Sequence, residues 1–194
     1  MRSFSTSRKT SETDIQLQFT IDGTGDANVQ TGVGFFDHML ILFTKHGLFD
    51  LNLSCQGDLE VDEHHTVEDI GIALGTAFRE SIGNKEGINR YATVKTPMDE
   101  ALSSLTIDIS GRPFLVFNVD GLKDKIGNFD SELVEEFFHA FVNQANITLH
   151  INLEYGRNSH HIVESIFKGF GRCLDEASRK NARIQGIPST KGVL

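Results

Sequence analysis

Hydrophobic and polar residues alternate over several short segments of the chain, which is the pattern of strands buried on one face. Ile15, Leu17, Phe19 and Ile21 follow this period most clearly. The alternation predicts strands over 13–21, near 27–31, and over 49–55, 91–96, 105–109, 114–119 and 147–153. Apolar positions with a helical period predict helices over 35–46, 64–82, 131–144 and about 159–180. Gly47 and Gly83 are predicted to end the first two helices.

The predicted elements occur twice in the same order. Each half is predicted to run strand, strand, helix, strand, helix, with a linking strand around 91–96. Self-similarity of this kind indicates an internal duplication. We therefore predict an α+β fold whose halves span residues 1–97 and 98–194. The two halves should form one compact unit, because helices collected against mixed sheets share a core and neither half would be stable alone.

The strongest chemical signal is a five-residue cluster that occurs at the start of a predicted helix in each half. Residues 64–68 read HHTVE and residues 160–164 read HHIVE, 96 positions later. Imidazole and carboxylate groups are ligands for a mid-series divalent metal. Residues four apart share one helix face, so the first histidine and the glutamate of a cluster can hold one ion. The middle histidine points about 100° away and needs a second ion. The alternative is two exposed helix starts that happen to carry histidines, but a duplicated ligand pattern favours metal binding.

Alignment of the two halves identifies further candidate ligands. Leu51 matches Leu149, and the residues 13 positions before them are His38 and Glu136. Both side chains can bind metal, and both lie on the first helix of their half. A crossed scheme follows, in which one ion is held by His38, His65, His160 and Glu164, and the other by Glu136, His161, His64 and Glu68. Four protein ligands leave positions open on a six-coordinate ion, which is typical of a catalytic site and not of a closed structural one. His46, His139 and His150 lie outside this scheme.

Composition restricts the partners and the cellular compartment of the protein. The net charge of −9 argues against a nucleic-acid or anionic-membrane surface. No apolar run approaches the 18 or so residues of a membrane span, and residues 1–5 lack the hydrophobic core of a signal peptide. Cys55 and Cys173 are isolated in the sequence, which predicts two buried thiols in a reducing compartment. We therefore expect a cytoplasmic protein with no nucleic-acid or membrane partner.

Four further motifs occur besides the two histidine clusters: GVGFFDHM at 32–39, PMDE at 97–100, DISGRP at 108–113 and PSTKG at 188–192. Together with the clusters they resemble the motifs of the imidazoleglycerol-phosphate dehydratases of histidine biosynthesis. The resemblance runs from about Arg8 to the C-terminus. It implies that each half has a four-stranded mixed sheet with paired helices. It also implies a manganese enzyme with two Mn²⁺ ions per chain, assembled as a 24-subunit shell of trimers with metal sites at subunit contacts.

The resemblance implies a lyase that dehydrates imidazole glycerol phosphate to imidazole acetol phosphate. No acidic C–H lies beside a carbonyl in that substrate, so the route must go through the imidazole ring, with the metals as Lewis acids and template. Glu12 matches a family glutamate that contacts substrate and is the first candidate for acid–base work, whereas by itself it suggests a solvated residue before the first strand. Glu164 is the second candidate. The positions matched to phosphate binding are Arg90, Arg112, Lys168, Ser189, Thr190 and Lys191.

One position departs from the family pattern. Many members carry histidine where this chain has Glu136, within VEEFF at 134–138. A carboxylate can still bind the ion, but the preference for one metal over another could change.

Two other functions use the same ligand types. A binuclear phosphoesterase would usually draw bridging aspartates from loops after parallel strands, and the two clusters contain none. Ferritin-like metal storage uses Glu-x-x-His motifs in a four-helix bundle. This chain has strands between its helices and the opposite residue order.

Overall fold

The computed structural model describes all 194 residues, which form ten strands and four helices. The strands are β1 (Ser3–Lys9), β2 (Thr13–Thr20), β3 (Ala27–Gln30), β4 (Asp50–Gly57), β5 (Tyr91–Met98), β6 (Ala101–Asp108), β7 (Phe114–Asn118), β8 (Lys125–Ile126), β9 (Phe129–Asp130) and β10 (Thr148–Tyr155). The helices are α1 (Gly34–Gly47), α2 (His64–Ile82), α3 (Leu133–Ala145) and α4 (Ser159–Ser178).

Two four-stranded mixed sheets confirm the predicted α+β fold and its duplication. The first sheet has the order β1-β2-β4-β3 and the second has the order β5-β6-β10-β7. In each sheet three strands are antiparallel, and the last strand runs parallel to its neighbour. The alternating apolar residues of β2, β4, β6 and β10 face the core, as their period predicts. The position of the boundary between the halves stays a prediction.

Three features of the fold differ from the sequence-based expectation. The sequence pattern does not predict β1, because Phe4 is its only large apolar residue and the alternation of apolar and polar residues is weak there. β5 is not a link between the halves but the first strand of the second sheet, where it pairs with β6. Each half therefore runs strand, strand, strand, helix, strand, helix. The short hairpin β8–β9 lies between β7 and α3 and has no counterpart in the first half.

The end of α1 also differs from the prediction. Gly47 is the last helical residue, and Leu48 adopts the left-handed conformation with φ 54°. A Cβ at position 47 would lie 2.3 Å from the Phe49 ring. Glycine is therefore needed at position 47 for close packing and not for helix termination. Gly83 does end α2, with φ 64°, as predicted.

The four helices pair between the halves and not within them. α1 packs against α4, and α2 packs against α3. α2 also covers the first sheet and α4 the second, so the helices lie between the two sheets. Buried phenylalanines from both halves fill this layer, including Phe43 against Phe170 and Phe78 against Phe141. Residues from the two ends of the chain therefore meet along the helix contacts. No helix combines the length and the apolarity that crossing a bilayer requires.

Candidate metal centre and active site

The contact between α1 and α4 brings three of the predicted ligands together. His38 Nε2 lies 3.4 Å from Glu164 Oε1, and His160 Nε2 lies 3.8 Å from Glu164 Oε2. One ligand atom from each of the three residues falls within 4.8 Å of the others. The Glu164 carboxylate is nearly buried, whereas both imidazoles are about half exposed. Lys168, one turn along α4, places its ammonium 3.3 Å from Glu164 Oε1.

This donor set suits a mid-series divalent ion. Two imidazole nitrogens and one carboxylate oxygen lie close enough together to bind one ion, and the half-exposed imidazoles leave the group open to solvent. No other group of three histidine, cysteine, aspartate or glutamate side chains in the chain converges in this way.

The other five predicted ligands do not converge within the chain. His64 and Glu68 share one face of α2, as their spacing predicts, with Nε2 3.7 Å from Oε2. Glu136 lies in the first turn of α3, the helix that packs against α2, but it does not complete a three-residue group with them. His65 and His161 are each directed towards a different carboxylate.

The two histidine clusters are positioned by Asx-type contacts at the helix starts. Asn158 caps α4, and its Oδ1 accepts hydrogen bonds from the backbone N–H of His160 and His161. Asp62 stands at the same place before α2 and accepts from the His64 N–H at 2.8 Å. The first turn of each helix is therefore held in place at the residues that carry the imidazoles.

The middle histidine of each cluster is oriented by a carboxylate that is not among the residues predicted from the sequence. Nδ1 of His65 lies 3.0 Å from Asp58 Oδ2, and Nδ1 of His161 lies 2.7 Å from Glu100 Oε2. The carboxylate accepts a hydrogen bond from the Nδ1–H group, so Nε2 is left free to bind an ion, as is usual for metal-binding histidines. These hydrogen bonds also raise the pKa of His65 and of His161 above the ordinary value.

Glu100 is held by more than His161. The backbone N–H groups of Asn158 and Arg157 donate to its Oε1 at 2.7 and 3.2 Å. The hydrogen bond from His161, followed by that from Asn158, lowers the pKa of Glu100 to about 2. The PMDE motif contained this residue, but the contact with His161 joins positions 61 residues apart and left no local signal in the sequence.

Glu12 lies in the turn between β1 and β2, not before the first strand. Its side chain is about half exposed, and Oε1 lies 3.7 Å from Nε2 of His65. The β1–β2 turn occupies the same place in the first half as the β5–β6 turn does in the second. Glu12 and Glu100, each the last residue before its second strand, are therefore counterparts in the repeat.

The predicted phosphate-binding residues divide into two groups. Arg90 donates to Asp108 at 2.8 Å and to the carbonyl oxygen of Pro188 at 2.8 Å, which ties the C-terminal tail to this place. Arg112 Nη2 lies 4.0 Å from the same Asp108, and its side chain is largely exposed. The two guanidinium groups thus share one carboxylate and leave an excess of positive charge.

The remaining predicted phosphate-binding residues lie in the C-terminal tail and on α4. Ser189 follows Pro188, and its Oγ accepts a hydrogen bond from the backbone N–H of Lys191. Thr190 and Lys191 are exposed. Lys168 contacts Glu164 and Met98 on α4 and β5, and it does not contact the arginines.

Comparison with known proteins gives one consistent family. A model of the family described as imidazoleglycerol-phosphate dehydratase matches residues 31–174. The imidazoleglycerol-phosphate dehydratase of Oceanobacillus iheyensis is 63% identical over 194 residues, with 100% of both chains covered. That of Trichlorobacter lovleyi is 60% identical over 187 residues, with 96% of both chains covered.

Two solved structures have the same fold. The crystal structure of imidazoleglycerol-phosphate dehydratase from Staphylococcus aureus aligns with a TM-score of 0.84 and 44% identity, covering 92% of this chain and 99% of that one. The crystal structure of IGPD from Pyrococcus furiosus in complex with (S)-C348 aligns with a TM-score of 0.84 and 36% identity, covering 97% of this chain and 100% of that one.

Proposed function

Because this chain belongs to the imidazoleglycerol-phosphate dehydratase family, we propose that it dehydrates imidazole glycerol phosphate to imidazole acetol phosphate in L-histidine biosynthesis. The observation that carries this proposal is the open group formed by His38, His160 and Glu164 between α1 and α4. Lys168, on the same helix as His160 and Glu164, lies beside this group. The free cysteines are both buried, which agrees with a reducing compartment such as the cytoplasm.

The proposed cofactor is Mn²⁺, with two ions per chain. His38, His160 and Glu164 would hold one ion, and His64, Glu68 and Glu136 would contribute to the other. When bound, the ions supply Lewis-acid polarisation of the imidazole ring and a template that orients the substrate. The donor types support manganese or a neighbouring divalent metal, since nitrogen and oxygen ligands are mixed and no thiolate is near.

The fourth ligand of each proposed ion would come from a neighbouring subunit. His65 and His161 are oriented with Nε2 free, yet neither joins the ligand group of its own chain. A second copy could present its His65 to the group at His38, and its His161 to the group at His64. This incompleteness supports the proposed homo-oligomer, a 24-subunit shell built from trimers with metal sites at subunit contacts.

Loss of water requires a base that accepts a carbon-bound proton and an acid that protonates the departing hydroxyl. Glu12 is the first candidate for this acid–base work, because its carboxylate is exposed and accepts no hydrogen bond from another group of the chain. Glu164 is the second candidate, although both of its oxygens face histidines and Lys168.

The substrate phosphate would be bound by Arg90 and Arg112, whose excess positive charge matches a dianion. The Ser189-Thr190-Lys191 tail, tied to Arg90 through Pro188, would add hydroxyl, ammonium and backbone N–H donors. Lys168 would act nearer to the metal group than to the phosphate.

Product analysis tests the proposal. The purified chain, reconstituted with Mn²⁺ and given imidazole glycerol phosphate, should form a ketone whose phosphate stays attached, as followed by ³¹P NMR and carbonyl derivatisation. Release of inorganic phosphate without ketone would instead support the binuclear phosphoesterase. Metal uptake with no turnover of this substrate would contradict the dehydratase proposal.

A further inference from the structure

The hairpin turns of the two halves differ in how their glutamates are held. Glu100, in the second half, has its carboxylate bound by His161 and by two backbone N–H groups. Glu12, its counterpart, has a carboxylate with no such partner, and its approach to His65 at 3.7 Å is longer than a hydrogen bond. The orientation of Glu12 must therefore be set by the backbone of its turn.

A partly buried ionic network fixes the two strand ends that flank this turn. Arg8, near the end of β1, donates from Nη2 to Asp69 Oδ1 at 2.6 Å. Thr13, the first residue of β2, donates from Oγ1 to Asp69 Oδ2 at 2.5 Å. Asp69 lies on α2 directly after Glu68 and is only 7% exposed. One carboxylate thus joins both arms of the hairpin to the helix that carries His64 and His65.

Hydrogen bonds within the turn connect these fixed strand ends to the backbone of Glu12. The backbone N–H groups of Glu12 and Thr13 donate to Thr10 Oγ1 at 3.1 and 3.0 Å. The backbone N–H of Asp58 donates to the carbonyl oxygen of Glu12 at 3.0 Å. Asp58 also orients His65, so the Glu12 backbone and the His65 ring are fixed by neighbouring groups.

The second half lacks the ionic network. By strand register and cluster spacing, Arg8 corresponds to Thr96, Thr13 to Ala101 and Asp69 to Ser165. Ser165 is hydrogen-bonded at 2.5 Å to Ser103, which matches Ile15 in the strand register, so the second half makes a neutral helix-to-strand contact at a neighbouring position instead of the charged one. A buried ion pair is often no more stabilising than a neutral replacement. The fold therefore does not require the charged version, and its restriction to the half with the unbound glutamate indicates another role.

We propose that Asp69 is a positioning residue which, through Arg8 and Thr13, holds the β1–β2 turn so that the Glu12 carboxylate stays beside His65. The inference rests on the proposed function, because Glu12 matters only if the chain is the dehydratase. Displacement of a catalytic group by about 1 Å can cost roughly 10²-fold in rate. The loss should fall on kcat, since Asp69 is itself buried and would act only through the turn that carries Glu12.

The decisive variant transfers the neutral residues of the second half into the first. Arg8→Thr combined with Asp69→Ser should fold, because the same residue types occupy these places in the second half. We expect kcat to fall about 10–100-fold, the usual effect of losing a group that orients a catalytic residue. KM and the metal content per chain should stay unchanged. Arg8→Lys, which keeps a cation at the carboxylate, should retain most of the wild-type kcat.

An exposed ion pair on the same hairpin provides the matched control. Lys9 and Asp14 are paired at 2.7 Å on the solvent side, so Asp14→Asn should leave kcat unaltered. Wild-type kcat in the Arg8→Thr, Asp69→Ser variant would overturn the positioning role, as would an increase in KM with kcat unchanged. A wild-type protein that does not dehydrate the substrate at all would instead refute the proposed function.

Discussion

Glu12 and Glu100 show how the same side chain acquires different chemistry at equivalent places in a repeat. Glu100 accepts three hydrogen bonds, and these lower its pKa to about 2. In the first half Asp58 orients the histidine instead, which leaves the Glu12 carboxylate available. A carboxylate that is fully hydrogen-bonded is a poor proton acceptor, so of these two glutamates only Glu12 is available for the proposed proton transfer.

Glu12→Gln should separate catalysis from binding. The change preserves shape but removes the capacity to transfer a proton, so kcat should fall about 10²–10⁴-fold. Metal content by elemental analysis should persist, because Glu12 is not among the converging ligands, and KM should persist because glutamine keeps the shape and hydrogen-bonding capacity of the side chain. Glu60→Gln, an exposed glutamate in the loop before α2, is the control and should leave both constants unaltered. Near-normal turnover in Glu12→Gln would show that Glu12 does not transfer the proton and would favour Glu164.

Both cysteines should be unreactive in the folded protein. Burial raises the pKa of Cys55 to about 11 and that of Cys173 to about 12. At pH 8 both thiols are therefore protonated as well as buried. Only the deprotonated thiolate reacts as a nucleophile. An aromatic disulfide reagent should label no cysteine in the native chain and two after denaturation. Rapid labelling of the native chain would contradict the buried positions of these side chains.

At the scale of elements, the helix contacts depend on glycines that let backbones approach. A Cβ at Gly171 of α4 would lie 2.3 Å from the carbonyl oxygen of Phe43 in α1. A Cβ at Gly75, its counterpart on α2, would lie 2.4 Å from the carbonyl oxygen of Phe141 in α3. Backbone atoms cannot move aside as a flexible side chain can. The α1–α4 contact that brings His38 to His160 therefore requires glycine at this position.

Gly171→Ala should destabilise the fold by about 1–3 kcal/mol, the usual cost of overpacking a core. Gly34→Ala is the matched control, because a Cβ at this residue, the first of α1, would meet nothing within 4 Å. That change should be neutral or stabilising by up to about 1 kcal/mol, since alanine favours a helix over glycine. Denaturant unfolding of both variants, measured on the chelated protein, gives the two free energies. Equal stability of the two variants would show that the helices can separate without cost.

At the scale of the whole molecule, two sheets enclose four helices that pair across the halves. The candidate ligands lie near the N-terminal ends of these helices, and all except Glu164 are at least partly exposed, so the group formed by His38, His160 and Glu164 opens to the surface. An open, three-ligand group at the surface is suited to completion by a second copy. The metals and the assembly should therefore depend on each other.

Chelation should reduce the size of the assembly. If His65 of one subunit completes the group at His38 of another, removal of Mn²⁺ leaves several imidazoles and carboxylates without a shared partner. Sedimentation velocity after treatment with a chelator should show trimers or smaller species, and added Mn²⁺ should restore the larger form. Elemental analysis of the restored protein should give two ions per chain. A chelated protein that stayed fully assembled would mean that apolar contacts alone hold the subunits together.

The sequence alone determined the features that depend on local pattern. The alternation of apolar residues specified most strands, the helical period specified all four helices, and the spacing within HHTVE and HHIVE put the first histidine and the glutamate on one helix face. These features follow from the geometry of a single element. The motifs were also enough to identify the family.

Only the tertiary structure decided which distant residues meet. The pairing of helices between halves selected His38, His160 and Glu164 as the one convergent group, and strand pairing made β1 part of the first sheet despite its weak pattern. The same packing assigned Asp58 to His65 and Glu100 to His161. Contacts of this kind arise because burying apolar faces forces particular elements together. No local period records these contacts, since most of them join different elements of the chain, and even Asp58 and His65, seven residues apart, are separated by a loop.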